Sequence, residues 1–309
     1  MAPSGGSRQL VGGFLPRAGP TTAAGTHAGA CDGLLSVLTK ERPVSLGGVG
    51  TALVIENDPS DDLGRLGEWL TEAELELTVL RPHAGDPLPD TLDGYLALIV
   101  LGGDQSAYAG PDGQPGAPWF PALEGLLRKA VRAHLPTLGI CLGAQLLAAA
   151  HGGLVERSTS GPEIGPGLVA RRDAADHDPL FKYVPLIPDV VQWHSDEITE
   201  LPIGAVLLAA SSRYPNQAFR LGDRAWGLQF HIECDIDMIV SWADSDAAVI
   251  DELGYDADVV VAATADILAD VEEVWQPFAA RFAALALGTL PNADIPTPGI
   301  GRTLPLLGQ

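Results

Sequence analysis

The chain has 309 residues, enough for one large domain or two small ones, and its 46% hydrophobic content supplies a real core and argues against a disordered chain. Its 40 acidic residues against 18 basic give a formal charge of −22, which argues against nucleic acid, whose phosphates demand clustered Lys and Arg, and equally against an anionic membrane surface. The acidity is spread without a long single-sign block and reads as a solvated surface. Cys31, Cys141 and Cys234 are too few and too scattered for a disulfide framework, so a reducing, cytoplasmic compartment is expected. No segment approaches the roughly 18 apolar residues of a membrane helix. The first residues also lack the continuous apolar run of a secretory signal.

Residues 1 to 47 are rich in Gly, Pro, Ser, Thr and Ala without period, and read as a disordered or mobile extension. A domain is expected over 48 to 286. "GGVG" at 47 to 50 precedes a strand and has no Gly-Lys-Ser/Thr, so it is not a phosphate loop. From Thr51 short apolar runs alternate with amphipathic segments: strand "TALVIEN", a helix over "SDDLGRLGEWLTEA", strands "LELTVLRP" and "LALIVLGG", a helix over "APWFPALEGLLRKAVRAH", strand "LPTLGI" and helix "LGAQLLAAAH". This pattern predicts parallel strands with crossover helices, an open, mostly parallel α/β sheet flanked by helices. Ligands in such sheets bind beyond the carboxyl ends of the strands. From Leu154 to His231 shorter β segments follow, "GLVERS", "GLVARR", "VVQWHS", "VLLAASS", "QAFRL" and "AWGLQFH", with a hairpin turn at Gly222-Asp223. They predict a small antiparallel excursion that returns a strand to the main sheet. After Asp235, the helical period of "VVVAATADILADVEEVWQPFAARFAALAL" predicts one terminal helix, and residues 287 to 309 a loose tail.

Two of the predicted strands end in chemistry. Gly139-Ile140-Cys141-Leu142-Gly143 has the spacing of a nucleophile elbow, whose small flanking residues permit a sharp strand-to-helix turn. At the start of a helix the thiolate would be favoured by the positive end of the macrodipole. A buried, inert cysteine fits the elbow alone equally well. A thiol nucleophile needs a base, and the base an orienter. "GLQFHIECD" offers both if the strand runs through His231, since His231 and Glu233 would then project to one side. Strand "LALIV" ends in Gly102-Gly103, where the backbone can approach a ligand without a Cβ. The N–H groups of Gly103 and Leu142 are the expected oxyanion donors, against the plainer reading of a Gly-rich turn. Cys234 beside His231 and Glu233 invites a metal reading, but the spacing of a four-ligand zinc site is missing, so neither metal nor cofactor is expected.

These three separated motifs, in order and register over about residues 51 to 283, resemble the class I, or triad-type, glutamine amidotransferases. Gly102-Gly103 with Ser106 looks like their oxyanion strand, "GICLGAQLLA" like their cysteine elbow and "GLQFHIE" like their His-Glu segment. The resemblance implies a flavodoxin-like sheet and attack of Cys141 on the γ-amide of glutamine, with a γ-glutamyl thioester, loss of ammonia and hydrolysis to glutamate. His231 is then base and acid, and Glu233 its orienter. Gly102 and Gln145, one turn into the elbow helix, match positions at the glutamine substrate. "WHSDEITELP" resembles the substrate-side loop, which would place His194, Ser195 and Asp196 at the site, with Asp196 meeting the substrate ammonium. A capped turn explains the same residues. His194 is the rival base, without the His-x-Glu pairing. The chain departs from the family in Ile232, where Pro is usual, and in Asp104, which replaces a common Pro and bears on loop rigidity.

The resemblance stops at the glutaminase half. No pyrophosphatase loop or Walker segment appears, and the tails are too short for a synthetase domain. The first expectation is a free-standing amidotransferase, similar to the glutaminase domain of GMP synthase, that feeds ammonia to a separate acceptor enzyme. The second is a γ-glutamyl peptide or γ-glutamyl amine hydrolase with the same triad. "SGPEIGPGLV" at 160 to 169, with Glu163, Ile164 and Gly165, resembles stand-alone family members of that kind. The third is a binding or regulatory protein that has lost catalysis, which the presence of all three triad residue types argues against.

Overall fold

The computed structural model describes residues 50 to 291. The expected N-terminal extension, Cys31 and residues 292 to 309 lie outside them. In chain order the first half runs β1 (Thr51–Ile55), α1 (Gly64–Glu72), β2 (Leu77–Leu80), β3 (Tyr95–Val100), α2 (Phe120–Arg132), β4 (Thr137–Ile140) and α3 (Leu142–Ala149). Shorter strands follow: β5 (Leu154–Arg157), β6 (Glu163–Leu168), β7 (Ala170–Arg171), β8 (Asp189–His194), β9 (Asp196–Glu200), β10 (Val206–Ala210), β11 (Ala218–Leu221) and β12 (Ala225–Leu228). The described chain closes on α4 (Ile236–Ser245), α5 (Ala247–Glu252) and α6 (Ala257–Ala286).

Eight strands form one sheet in the order β2-β1-β3-β4-β12-β11-β10-β7. The pairs from β2 to β12 are parallel, and those from β12 to β7 antiparallel. β1 explains why its sequence is a continuous apolar run. Ala52 and Val54 sit in one core cluster with α1, α4 and α6, while Leu53 and Ile55 sit in the other with α2 and α3. A parallel sheet covered on both faces has no solvent side, so the polar alternation of a half-exposed strand is absent. On α2 the buried residues Phe120, Leu123, Leu126, Leu127 and Ala130 form the stripe that faces the sheet.

The excursion divides in two ways not visible in the sequence. β7, β10 and β11 extend the main sheet, whereas β5-β9 and β6-β8 are separate antiparallel pairs. The expected loop "WHSDEITELP" is a corner between two strands: His194 ends β8, Ser195 turns and Asp196 opens β9. The predicted terminal helix is α6, and two shorter helices, α4 and α5, precede it after Asp235. Asp235 caps α4 by accepting a hydrogen bond from Met238 N at 2.9 Å, an N-cap signal that the sequence carries openly. The strand expected through His231 stops at Leu228. His231 lies three residues beyond, held by an isolated antiparallel bridge to Val191.

Candidate active site

β4 ends at Ile140 and α3 begins at Leu142, so Cys141 alone makes the turn. Its backbone sits at φ 49°, ψ −110°, a conformation that costs a non-glycine residue on the order of 1–3 kcal/mol. The surroundings enforce it. Cys141 N donates to Leu228 O of the neighbouring strand at 2.7 Å. A Cβ on Gly143 would fall on the Val100 carbonyl of β3, and one on Gly139 would lie 2.5 Å from Gly143 O. The two glycines of the elbow are therefore demanded by backbone packing between β3, β4 and α3.

Since Leu228 pairs with Ile140, the segment after β12 leaves the sheet beside the elbow. His231 Nδ1 is 2.6 Å from Glu233 Oε1, and Glu233 Oε2 accepts from Ile232 N at 2.8 Å. Arg65 N, at the start of α1, donates to Glu233 O at 2.8 Å. Both side chains are buried, and His231 Nε2 has no hydrogen-bond partner of regular geometry. Burial by itself would push the imidazole down. The Glu233 carboxylate, and after it the charge and hydrogen bonding of the Cys141 sulfur, more than offset this and hold it well above its ordinary value. Sγ also lies 3.9 Å from Trp193 O and 3.8 Å from Gln229 Nε2.

A cleft of about 280 Å³ opens over the sulfur and is lined by Gly103, Leu142, Gln145, His194, Ser195 and Asp196 among others. The structure thus brings nearly all the sequence-predicted residues to one place. Gly103, at φ 154°, packs so closely that an added Cβ would lie 3.1 Å from the Leu142 side chain. The Leu142 N–H opens α3 and has no carbonyl one turn earlier to bond. Gln145 Nε2 donates to Asp196 O at 3.4 Å and Gln229 Oε1 at 3.3 Å. Asp196 Oδ1 accepts from Tyr108 Oη at 3.2 Å. Gly102 does not line the cleft. It is buried behind it, where a Cβ would strike the Asp61 carboxylate and come within 3.3 Å of His231 Cε1.

His194, the rival base, has both ring nitrogens engaged: Nδ1 is 2.9 Å from Asp196 O, and Nε2 is 3.0 Å from Gln192 Oε1 and 3.3 Å from Glu163 Oε2. Cys234 is buried, and burial followed by the Glu233 charge pushes its thiol well up. Among the described residues no group of three or more His, Cys, Asp or Glu is placed to hold a metal ion. No helix among them is long and apolar enough to cross a membrane.

Several residues at the site had no motif to announce them. A smaller cavity of about 50 Å³ adjoins the sulfur on the imidazole side, lined by Asp61, Asp104, Trp193, His231, Trp242 and Asp246 among others. Asp61 follows β1 at its carboxyl end, a place the sheet rule marks as ligand-binding. Burial raises its carboxyl to about 6, with Glu233 and Asp58 adding to the rise and His231 and Ser60 opposing it. Trp242 lies on α4 and Asp246 at its end, a helix outside the predicted terminal one.

The chain is similar to several known proteins. Residues 68–237 match the family model described as glutamine amidotransferase class-I. The glutamine amidotransferase-like protein YfeJ of Salmonella typhimurium is 29% identical over 187 residues, 60% of this chain and 76% of that one. Gamma-glutamyl peptidase 4 of Arabidopsis thaliana is 31% identical over 51% of this chain and 61% of its own length. A GMP synthase of Thermomicrobium roseum is 40% identical over 136 residues, so the chain spans only 23% of that relative. A crystal structure of a glutamine amidotransferase from Thermotoga maritima superposes with a TM-score of 0.67 at 27% identity, covering 76% of this chain and 99% of that one.

Proposed function

Because the chain belongs to the class-I glutamine amidotransferase family, we propose that it hydrolyses a γ-glutamyl amide, glutamine among them, through a thioester on Cys141. In the first step Sγ bonds to the amide carbonyl carbon while the N–H groups of Gly103 and Leu142 hold the developing oxyanion. The C–N bond then breaks, and the nitrogen leaves with the proton on His231 Nε2. In the second step water adds to the thioester carbonyl, giving its proton to His231. The S–C bond breaks, glutamate departs and the proton returns to the sulfur. Glu233 keeps the proton of the other ring nitrogen in place and stabilises the imidazolium. Gln145, His194, Ser195 and Asp196 line the pocket that takes the γ-glutamyl group, with Asp196 toward its ammonium.

One observation carries this reading: a buried imidazole, clamped by a carboxylate at 2.6 Å, leaves its other nitrogen to a thiol held in a strained elbow. A folded remnant without catalysis has no use for that combination. The ammonia of glutamine would pass to a separate acceptor enzyme, a reading supported by the similarity to GMP synthases. The similarity to a γ-glutamyl peptidase supports hydrolysis with a larger leaving group.

The test is glutamate release by purified protein from glutamine and from a panel of γ-glutamyl amides. Cys141→Ala is expected to lower turnover at least about 10⁴-fold, while Cys31→Ala leaves it intact. Rapid alkylation of Cys141, blocked by glutamine, should accompany activity. Turnover that survives in Cys141→Ala, or labelling no faster than that of Cys234, overturns the reading.

A further inference from the structure

The proton that departs with the leaving nitrogen comes from His231 Nε2, so the leaving group must lie on the imidazole side of the sulfur. This inference rests on the reading above and concerns only that side. His231 is 1% exposed, its Nε2 is buried, and its ring lines the smaller cavity beside Cys141. The two compartments that meet at Cys141 share Asp104, Asp246 and Trp193 along their common wall and differ in what else they hold. The larger one adds Arg157 together with Asp196, a mixed pair suited to an amino-acid head with both an ammonium and a carboxylate. The smaller one adds Asp61, with no Lys or Arg in its wall.

Two indoles complete that wall. Trp193 and Trp242 lie with ring centroids 5.5 Å apart, and Trp193 Nε1 donates to Asp246 Oδ2 at 2.8 Å. Carboxylates beside aromatic faces form the usual surroundings of an alkylammonium ion. Ammonia needs none of this. The carboxylate of a peptide leaving group would be repelled by it. We propose that the preferred substrate is a γ-glutamyl amide of a short amine carrying a second positive charge, whose distal ammonium sits among Asp61, Asp104 and Asp246 against Trp193 and Trp242. The Asp104 carboxyl is raised by burial and then by Asp58 and Asp246, a mutual repulsion that a cation relieves.

The decisive comparison uses the γ-glutamyl amide of 1,3-diaminopropane and that of butylamine, its neutral isostere, with glutamine as reference. Glutamate release by the full chain is followed for each. The cationic amide is expected to exceed the neutral one in kcat/KM by about tenfold, a ratio that shrinks toward one at about 1 M salt. The double variant Asp104→Asn/Asp246→Asn should lower the same ratio at low salt. A cationic amide no better than the neutral one, or a preference indifferent to both salt and variant, overturns the inference and leaves the thioester chemistry standing. Failure of every γ-glutamyl amide and of glutamine to release glutamate overturns both.

Discussion

The elbow and the segment from Gln229 to Glu233 leave adjacent parallel strands side by side, yet they are not held alike. The elbow is fixed by backbone against backbone: Gly143 on the Val100 carbonyl, Gly139 on Gly143, and Cys141 N bonded across to Leu228. The base also needs a side-chain clamp. Glu233 grips the imidazole, Val191 bridges the main chain, and Arg65 N at the start of α1 holds the Glu233 carbonyl. The nucleophile is thus set by close backbone packing against its two neighbouring strands, while its base also depends on a carboxylate two residues along.

Glu233→Gln breaks the second arrangement most severely. A side-chain amide in place of the carboxylate can donate to Nδ1 and leave Nε2 unable to accept the thiol proton, so kcat should fall about 10³- to 10⁴-fold in a glutamate-release assay. Since the carboxylate is the chief upward influence on the imidazole, the residual activity should lose its alkaline limb at lower pH than the wild type. A profile unchanged in height and position would remove Glu233 from the mechanism.

Gly143→Ala attacks the first arrangement. The new Cβ meets main-chain atoms on a central strand that cannot yield locally, and a loss of about 3 kcal/mol in unfolding free energy is expected. Denaturant titration measures it, and a loss under about 1 kcal/mol would show that the elbow tolerates a side chain.

The smallest effect sharpens the comparison from the side facing both segments. Asp61 is held in the fold at about 6 against 3.8 for an ordinary aspartate, so folding favours its protonated form. That stabilisation is complete below pH 3.8 and is lost as the pH rises through 6. Asp61→Asn should therefore be as stable as the wild type near pH 4 and more stable by roughly 2–3 kcal/mol at pH 8. Thermal melts at the two pH values decide it. A difference that does not grow with pH would mean that the carboxylate is satisfied in its ionised form.

The parallel half of the sheet was legible because β1, β3 and β4 are short apolar runs, each followed by a helix signal. β1, α2 and α3 lie where their periodicity puts them. The antiparallel half was less so. β9 hides in "DEITE", whose acidic residues resemble a capped turn until Val155 and Ile198 are seen to face each other across the β5 pair. His231 was found for a reason that is only partly right. It pairs with Glu233 as expected, but on an extended segment past the strand end, where a single bridge to Val191 does the holding.

The sequence by itself determined that a cysteine stands in a glycine-flanked elbow at the carboxyl end of a strand, with a His-x-Glu about ninety residues later, because those requirements are local in backbone geometry and spacing. Only the tertiary structure decided which histidine is free to act and what surrounds the sulfur on its far side. His194 is occupied at both nitrogens, and Asp61, Trp193 and the pair Trp242 and Asp246 come from three separate stretches of chain. No local pattern can announce a cavity whose walls meet only when the sheet and its covering helices have closed around it.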